Sequence, residues 1–191
     1  GLVREGRVVR FHGRGTFVAE RKQRVEEPLV HVHFLNDEGT GYLPVYPRIL
    51  GRKLVAQPGP WSVLGVQGED VVCIEREFNV NDEFCALGRF YMNANRFRSF
   101  ARKPPTKLDG ANFKRILSQE FGIVVRSYSQ ELLLAKMPAD VCKALKLRRG
   151  THGIRLSGVA YAGGRDPVYV QEVFVPPNSR RLHLPEIATG G

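Results

Sequence analysis

The sequence has few cysteines, few acidic residues and no long apolar run. Cys73, Cys85 and Cys142 are odd in number and far apart, and none belongs to a Cys-x-x-Cys pair. This spacing argues against a disulfide framework or a zinc site and fits reduced thiols. No apolar stretch approaches the roughly 18 residues that a membrane span needs, and no signal peptide is seen. We therefore expect a cytoplasmic chain without a metal or other cofactor.

Signatures of catalysis are also missing. No Ser/His/Asp order, Cys–His pair, metal-ligand set or phosphate-binding loop stands out. His31 and His33 lie on one face of an alternating segment, but they lack the nearby carboxylate or cysteine that would favour a metal site. We expect a binding protein and not an enzyme.

Positive charge is abundant and unevenly distributed. Residues 1–24 contain seven Lys/Arg and two Glu, which is half of the net charge of +10. We expect a polyanionic partner to bind at this end of the chain. Residues 89–115 hold eight further Lys/Arg and one Asp, which we interpret as a solvated loop.

A basic hairpin is predicted near the start of the chain. Apolar and polar residues alternate on both sides of His12-Gly13-Arg14-Gly15, as in two strands joined by a tight turn. Arg10, His12 and Arg14 would project around the tip, where they could follow a phosphate backbone or enter a minor groove. An ordinary surface hairpin with solvated arginines is the alternative.

The spacing of residues in this hairpin is specific. It reads Leu2-Val3-x-x-Gly6-x-Val8-x-Arg10-x-x-Gly13-x-Gly15-Thr16-Phe17-Val18. This pattern closely resembles the wing that ends the winged helix-turn-helix domain of GntR-type bacterial transcription regulators. The resemblance implies that DNA is contacted by Arg10, His12, Gly13, Arg14, Gly15 and Thr16. The helices that read the major groove would precede residue 1, so we expect the chain to be the later part of such a regulator.

The rest of the chain predicts an antiparallel sheet with helices packed against it. The expected strands are 29–34, 42–56, 71–78, 84–92, 123–135, 150–161 and 167–176, and the expected helices are 62–66, 111–121 and 139–147. An internal repeat matches Leu64-Gly65-Val66-x-Gly68-x-x-Val71-x-x-Ile74 to Leu145-Lys146-Leu147-x-x-Gly150-x-x-x-Ile154-x-Leu156. Two such halves with two further strands give an α+β fold with a six-stranded antiparallel sheet. A cleft between the halves would suit a small ligand.

A second resemblance covers most of the remaining residues. It is carried by Arg76, Phe113-Lys114-Arg115-Ile116-Leu117-x-x-x-Phe121-Gly122, Gln130-Glu131 and Ala144-Leu145-Lys146-Leu147-x-x-Gly150. These residues resemble the UTRA effector-binding domain of the HutC subfamily of the same regulators, whose fold is similar to chorismate lyase. The implied domains are a wing at 1–19, a linker at 20–41, a UTRA domain at 42–184 and a tail at 185–191. The implied partners are operator DNA, a small effector and a second copy in a homodimer.

The resemblance also indicates where the effector binds. Family members that bind phosphorylated sugars use an Arg-x-Arg pair, a Glu on the return strand, a helix-start hydroxyl, a second Glu and a closing Tyr. Here Arg76 keeps the first arginine, and the other positions hold Phe78, Gly88, Asn112, Tyr169 and Val175. One cation among aromatic side chains suits a smaller, flatter or more apolar anion, such as a carboxylate. The predicted effector-binding residues are Arg76, Phe78, Tyr91, Asn112 and Tyr169.

Two other functions stay open. One is a chorismate lyase-like enzyme, which turnover of chorismate would identify. The other is an architectural dimerisation domain with a degenerate pocket, in which Arg76 is a structural ion-pair residue. Such a domain would show no thermal shift with any metabolite.

Overall fold

The structure is a computed structural model that describes residues 8–10, 16–18, 32–55, 57–65 and 70–184. Within these ranges, a six-stranded antiparallel sheet carries short helices on both faces, which confirms the expected α+β class. The strands are β1 Val8–Arg10, β2 Thr16–Val18, β3 His33–Phe34, β4 Val45–Val55, β5 Val71–Val80, β6 Phe84–Asn93, β7 Ser127–Lys136, β8 His152–Tyr161, β9 Pro167–Val175 and β10 Leu182–His183. The helices are α1 Arg98–Ala101, α2 Pro105–Leu108, α3 Phe113–Phe121 and α4 Ala139–Ala144, with 3₁₀ turns at Pro60–Leu64 and Gly163–Arg165.

The main sheet consists of two similar halves. Its strand order is β4-β5-β6-β9-β8-β7, and all neighbouring strands are antiparallel. In each half an outer strand is followed by a short helix and a hairpin, as the internal repeat predicts. The halves join where β6 pairs with β9. This ladder is continuous, so the expected cleft between the halves is closed within the sheet itself.

Side chains leave the sheet on two faces. The helix face, as we name it, carries Ile74, Arg76 and Phe90 and packs against α1, α2 and α3. The opposite face carries Cys73 and Tyr91, which pack against the 3₁₀ turn at Pro60–Leu64, while α4 covers another part of that face. This division follows from the alternation of side chains along a strand.

The segment 93–110, part of the basic stretch expected to be a solvated loop, contains α1 and α2. Each helix has four residues, too few to show a helical period in the sequence. Phe97, Phe100 and Leu108 are buried and fix both helices to the core on the helix face. The apolar contacts of these three side chains therefore decide the local structure.

Other boundaries also differ from the expectation. The predicted strand at 123–135 begins at Ser127, and the predicted helix at 139–147 ends at Ala144. Pro47 lies inside β4, where it is the pairing partner of Phe78. An edge strand tolerates a proline because one of its sides needs no ladder hydrogen bonds.

Two small sheets accompany the main one. Strand β10, in a segment expected to be irregular, pairs with β3. Strands β1 and β2 pair with Val8 opposite Val18, so the predicted hairpin is present, although its turn lies outside the described residues. Its identity as a DNA-binding wing stays a prediction.

The three cysteines all lie within the described residues. None of them forms a disulfide, and burial raises the pKa of the Cys73 thiol to about 12. Such a thiol is not a ready nucleophile. Among the helices that the structure describes, none has the length and apolar character needed to cross a membrane.

Candidate functional site

Arg76 is buried on the helix face, in β5, the strand next to the edge strand β4. Only 2% of its surface is exposed, because Phe113 and Phe78 cover its side chain. The guanidinium carbon lies 3.8 Å from the ring centroid of Phe113 and 5.0 Å from that of Phe78. Its Nη1 donates a hydrogen bond to the carbonyl oxygen of Ala111, at 3.0 Å.

The charge of Arg76 lacks an acidic partner in the described part of the chain. No carboxylate there lies within ion-pair distance of its guanidinium. Burial lowers the pKa of Arg76 to about 9, while the nearby Tyr169 acts in the opposite direction. The side chain therefore stays charged at neutral pH. An isolated buried charge is costly, so this arrangement favours a ligand that supplies an anion.

Asn112 places the first turn of α3 beside Arg76. It is the N-cap residue, and its side-chain oxygen accepts a hydrogen bond from the backbone N–H of Arg115, at 3.3 Å. Gly122 ends the same helix in the left-handed conformation, with φ of 65°. The cap fixes where Phe113 starts the helix, and thus where its ring covers Arg76. Asn112 therefore caps α3, and its predicted role in ligand binding stays a prediction.

Phe78 occupies the space that a side chain at position 88 would need. The two residues lie on neighbouring strands, and a Cβ atom added to Gly88 would overlap the ring of Phe78. The aromatic ring and the glycine therefore fit each other. The ring of Phe78 thus fills the space above Gly88, on the helix face next to Arg76.

Tyr169 completes the group on this face. It is buried, and its ring centroid lies 4.5 Å from that of Phe90. Burial raises the pKa of the Tyr169 hydroxyl, so this group stays protonated, and the charge of Arg76 acts in the opposite direction. The structure thus brings Arg76, Phe78 and Tyr169 to one face, as predicted.

Two aromatic residues near this group were not among the predicted site residues. They are Phe113, which covers Arg76, and Tyr128. Burial raises the pKa of Tyr128, and its interaction with Tyr169 raises the pKa of Tyr169 as well. Tyr128 lies opposite Ala160, which lies opposite Tyr169, so both tyrosines share one row of the sheet. Once the register is known, side-chain alternation identifies Tyr128.

Tyr91, in contrast, faces away from Arg76. Its ring stacks on Trp61 with centroids 4.4 Å apart, and its hydroxyl donates to Oε2 of Glu172, at 3.0 Å. Tyr91 pairs with Cys73, an odd number of positions from Arg76, so its side chain leaves by the opposite face. The prediction that it surrounds the same ligand is therefore corrected.

The predicted DNA-binding residues are less completely described. Arg10 and Thr16 are opposite each other in the paired strands β1 and β2. His12, Gly13, Arg14 and Gly15 lie outside the described residues, as does His31. Their predicted contacts with DNA stay predictions.

The chemistry available around Arg76 is that of binding. Its described contacts are a backbone carbonyl and aromatic rings, which orient the guanidinium and do not transfer protons. In the described ranges, no three His, Cys, Asp or Glu side chains are grouped so that they could hold a metal ion. A charged guanidinium donates strong hydrogen bonds to carboxylates and phosphates.

Comparisons with known proteins identify the domain family and similar folds. The family model described as the UTRA domain matches residues 55–180. No curated protein matches the chain in sequence.

Several solved structures share the fold. One is the ligand-binding domain of a protein assigned to the GntR family of transcriptional regulators, from Bordetella bronchiseptica: TM-score 0.66, 16% identity, covering 81% of this chain and 95% of that one. Another is the effector domain of PhnF from Mycobacterium smegmatis: TM-score 0.60, 15% identity, covering 70% of this chain and 82% of that one. PhnF itself matches with TM-score 0.60 and 20% identity, covering 92% of this chain and 76% of that one.

Proposed function

Since this chain belongs to the UTRA domain family, we propose that it senses a small anionic effector as part of a transcription regulator. The regulator is of the GntR superfamily and the HutC subfamily, and effector binding changes its affinity for operator DNA. The observation that carries this proposal is the buried charge of Arg76, which has no carboxylate partner among the described residues.

The effector supplies the missing negative charge. A carboxylate or a similar anion would accept a charge-assisted hydrogen bond from Arg76, which is stronger in a dry site than in water. The rings of Phe78, Phe113 and Tyr169 favour a flat or apolar body next to that anion. The fit of Phe78 against Gly88 leaves less room for a bulky sugar phosphate.

The DNA-binding role is proposed for the segment before the sheet. Its support is the paired hairpin of β1 and β2, together with the positive charge of residues 1–24. In addition, the match to the effector domain of PhnF covers 70% of this chain, whereas the match to PhnF itself covers 92%. We infer that Arg10, His12, Gly13, Arg14, Gly15 and Thr16 contact DNA as a wing.

The regulator acts in the cytoplasm as a homodimer. Two-fold operators need a symmetric protein, and effector binding would shift the spacing of the two wings between DNA-competent and incompetent states. Domain limits of 1–19, 20–41, 42–184 and 185–191 are part of the same proposal. No catalytic step is assigned to the chain.

The test is a thermal-shift screen of residues 1–191 with aromatic and aliphatic carboxylates, amino acids, sugars and sugar phosphates. A bound carboxylate raises the melting temperature by mass action. Arg76→Met should abolish that shift, whereas Arg115→Met, which removes an exposed charge from α3, should leave it intact.

Other outcomes would replace the proposal. A response that survives in Arg76→Met rejects the anchoring role of Arg76. A sugar phosphate as the best ligand contradicts the interpretation of Phe78 and Gly88. No response to any compound favours the architectural dimer, and turnover of chorismate favours an enzyme.

A further inference from the structure

A cationic cavity lies at the edge of the sheet, beside the ladder between β4 and β5. Its volume is about 360 Å³, and it is bounded by β4, the start of β5 and α1. Four positively charged side chains line it, and no carboxylate is among its lining residues. These side chains are Arg52, Lys53, Arg98 and Arg102.

Arg52 is held in place by the end of α1. Its Nη1 donates to the carbonyl oxygens of Ala101, at 2.5 Å, and Lys103, at 2.8 Å. These two acceptors fix one side of the guanidinium while the residue still lines the cavity. A positioned guanidinium loses less conformational entropy when it binds an anion.

Arg98, the first residue of α1, and Arg102, its C-cap, add two charges. They are four residues apart, so they lie on the same side of α1, where like charges repel each other. Neither residue forms an ion pair within the described ranges of the chain. An anion bound between them and Arg52 would relieve this repulsion.

The remaining wall of the cavity is largely apolar. Leu54, Val72, Ala94 and Ala101 line it beside the cations. A free phosphate or a DNA backbone would make no use of such a wall, whereas a small molecule with an apolar body would cover it.

We propose that this cavity binds a small organic anion, in which a phosphate or carboxylate group is joined to a short apolar body. The site shares no residue with the group around Arg76. Phe100 packs edge-on against Phe113 with centroids 4.9 Å apart, and Phe113 covers Arg76.

The experiment is an isothermal titration of residues 1–191 with phenyl phosphate, and with inorganic phosphate and phenol as the charged and apolar parts alone. Phenyl phosphate should bind more tightly than either part. The double variant Arg98→Gln/Arg102→Gln should weaken it by about tenfold or more, because charge-assisted hydrogen bonds are lost. The control Arg148→Gln/Arg149→Gln removes the same charge from an exposed segment and should have little effect.

Four results would overturn the inference. They are absence of saturable binding, equal weakening in both double variants, binding of inorganic phosphate as tightly as phenyl phosphate, and binding that is lost in Arg76→Met but kept in Arg98→Gln/Arg102→Gln. A short DNA duplex provides a further arm. If the Arg98/Arg102 variant loses duplex binding while phenyl phosphate does not bind, the surface belongs to nucleic acid instead. Because Arg98→Gln/Arg102→Gln and its control leave Arg76 unchanged, failure here does not affect the proposed function.

Discussion

The guanidinium of Arg76 is tied to the carbonyl oxygen of Ala111, the residue that precedes the N-cap of α3. A ligand that accepts a hydrogen bond from Arg76 therefore lies next to the start of this helix. Phe113, the first residue of α3, lies over the same guanidinium. Occupation of the site can thus be transmitted to α3 by changing either contact.

We expect Arg76→Met to stabilise the unliganded protein. It removes a buried charge that lacks a carboxylate in the described structure, at the cost of one hydrogen bond to Ala111. The net gain in the free energy of unfolding should be about 1–3 kcal/mol. Urea denaturation measures it, with Arg115→Met as a surface control. A less stable Arg76→Met protein would mean that Arg76 is a structural residue, as in the degenerate-pocket alternative.

Gly88→Ala should destabilise the protein, because the new methyl group overlaps the buried ring of Phe78. Overpacking of this kind costs about 1–3 kcal/mol. The variant Phe78→Leu/Gly88→Ala should recover part of the loss, since the smaller side chain vacates the space. Denaturation of the four proteins of this double-mutant cycle gives the coupling energy. Gly51→Ala is the control, because a Cβ there meets no atom within 4 Å; equal effects at both glycines would reject the explanation.

Local sequence signals predicted the hairpins and α3 well. The helix carries both its N-cap, Asn112, and its C-terminal glycine, Gly122, and the strand β5 begins at the expected Val71. The pairing of β3 with β10 was missed because their residues are far apart in the chain and each strand has only two residues. No local pattern marks such a contact.

The site illustrates a different limit. Arg76 and Tyr169 were placed together correctly, but Tyr91 was not, because the expected turn at 79–83 left the pairing of the first hairpin open. A shift of one residue moves every side chain to the other face. The observed turn fixes Cys73 opposite Tyr91, which sends this tyrosine to Trp61.

Substitutions at Asn112 should separate its capping role from ligand binding. Asn112→Ala loses the acceptor for the Arg115 N–H and should cost about 1 kcal/mol of stability. Asn112→Asp keeps a good cap, so its stability should match the native protein, yet its negative charge should weaken an anionic effector. Denaturation and the effector's thermal shift measure the two properties. An unchanged effector response in Asn112→Asp would exclude Asn112 from the binding site.

His33 lies where β3 and β10 meet. It is the pairing partner of His183, and its ring stacks on Tyr42 with centroids 4.3 Å apart. The hydroxyl of Tyr42 lies 2.8 Å from Nδ1 of His183. Burial lowers the pKa of His33, and the nearby charges of His183 and Lys114 lower it further. The folded protein therefore binds a proton at His33 less readily than the unfolded chain does.

This shift makes stability depend on pH. Above about pH 6.5 His33 is neutral in both states and has no effect, but below that value the unfolded chain takes up the proton first and stability falls. Replacing His33 with Phe keeps an aromatic ring beside Tyr42 and removes the titrating group, so the loss of stability on acidification should become smaller. Urea denaturation across this pH range measures the slope, with the exposed His152→Gln as the control. If His33→Phe and the native protein lose stability equally, the acid sensitivity arises elsewhere.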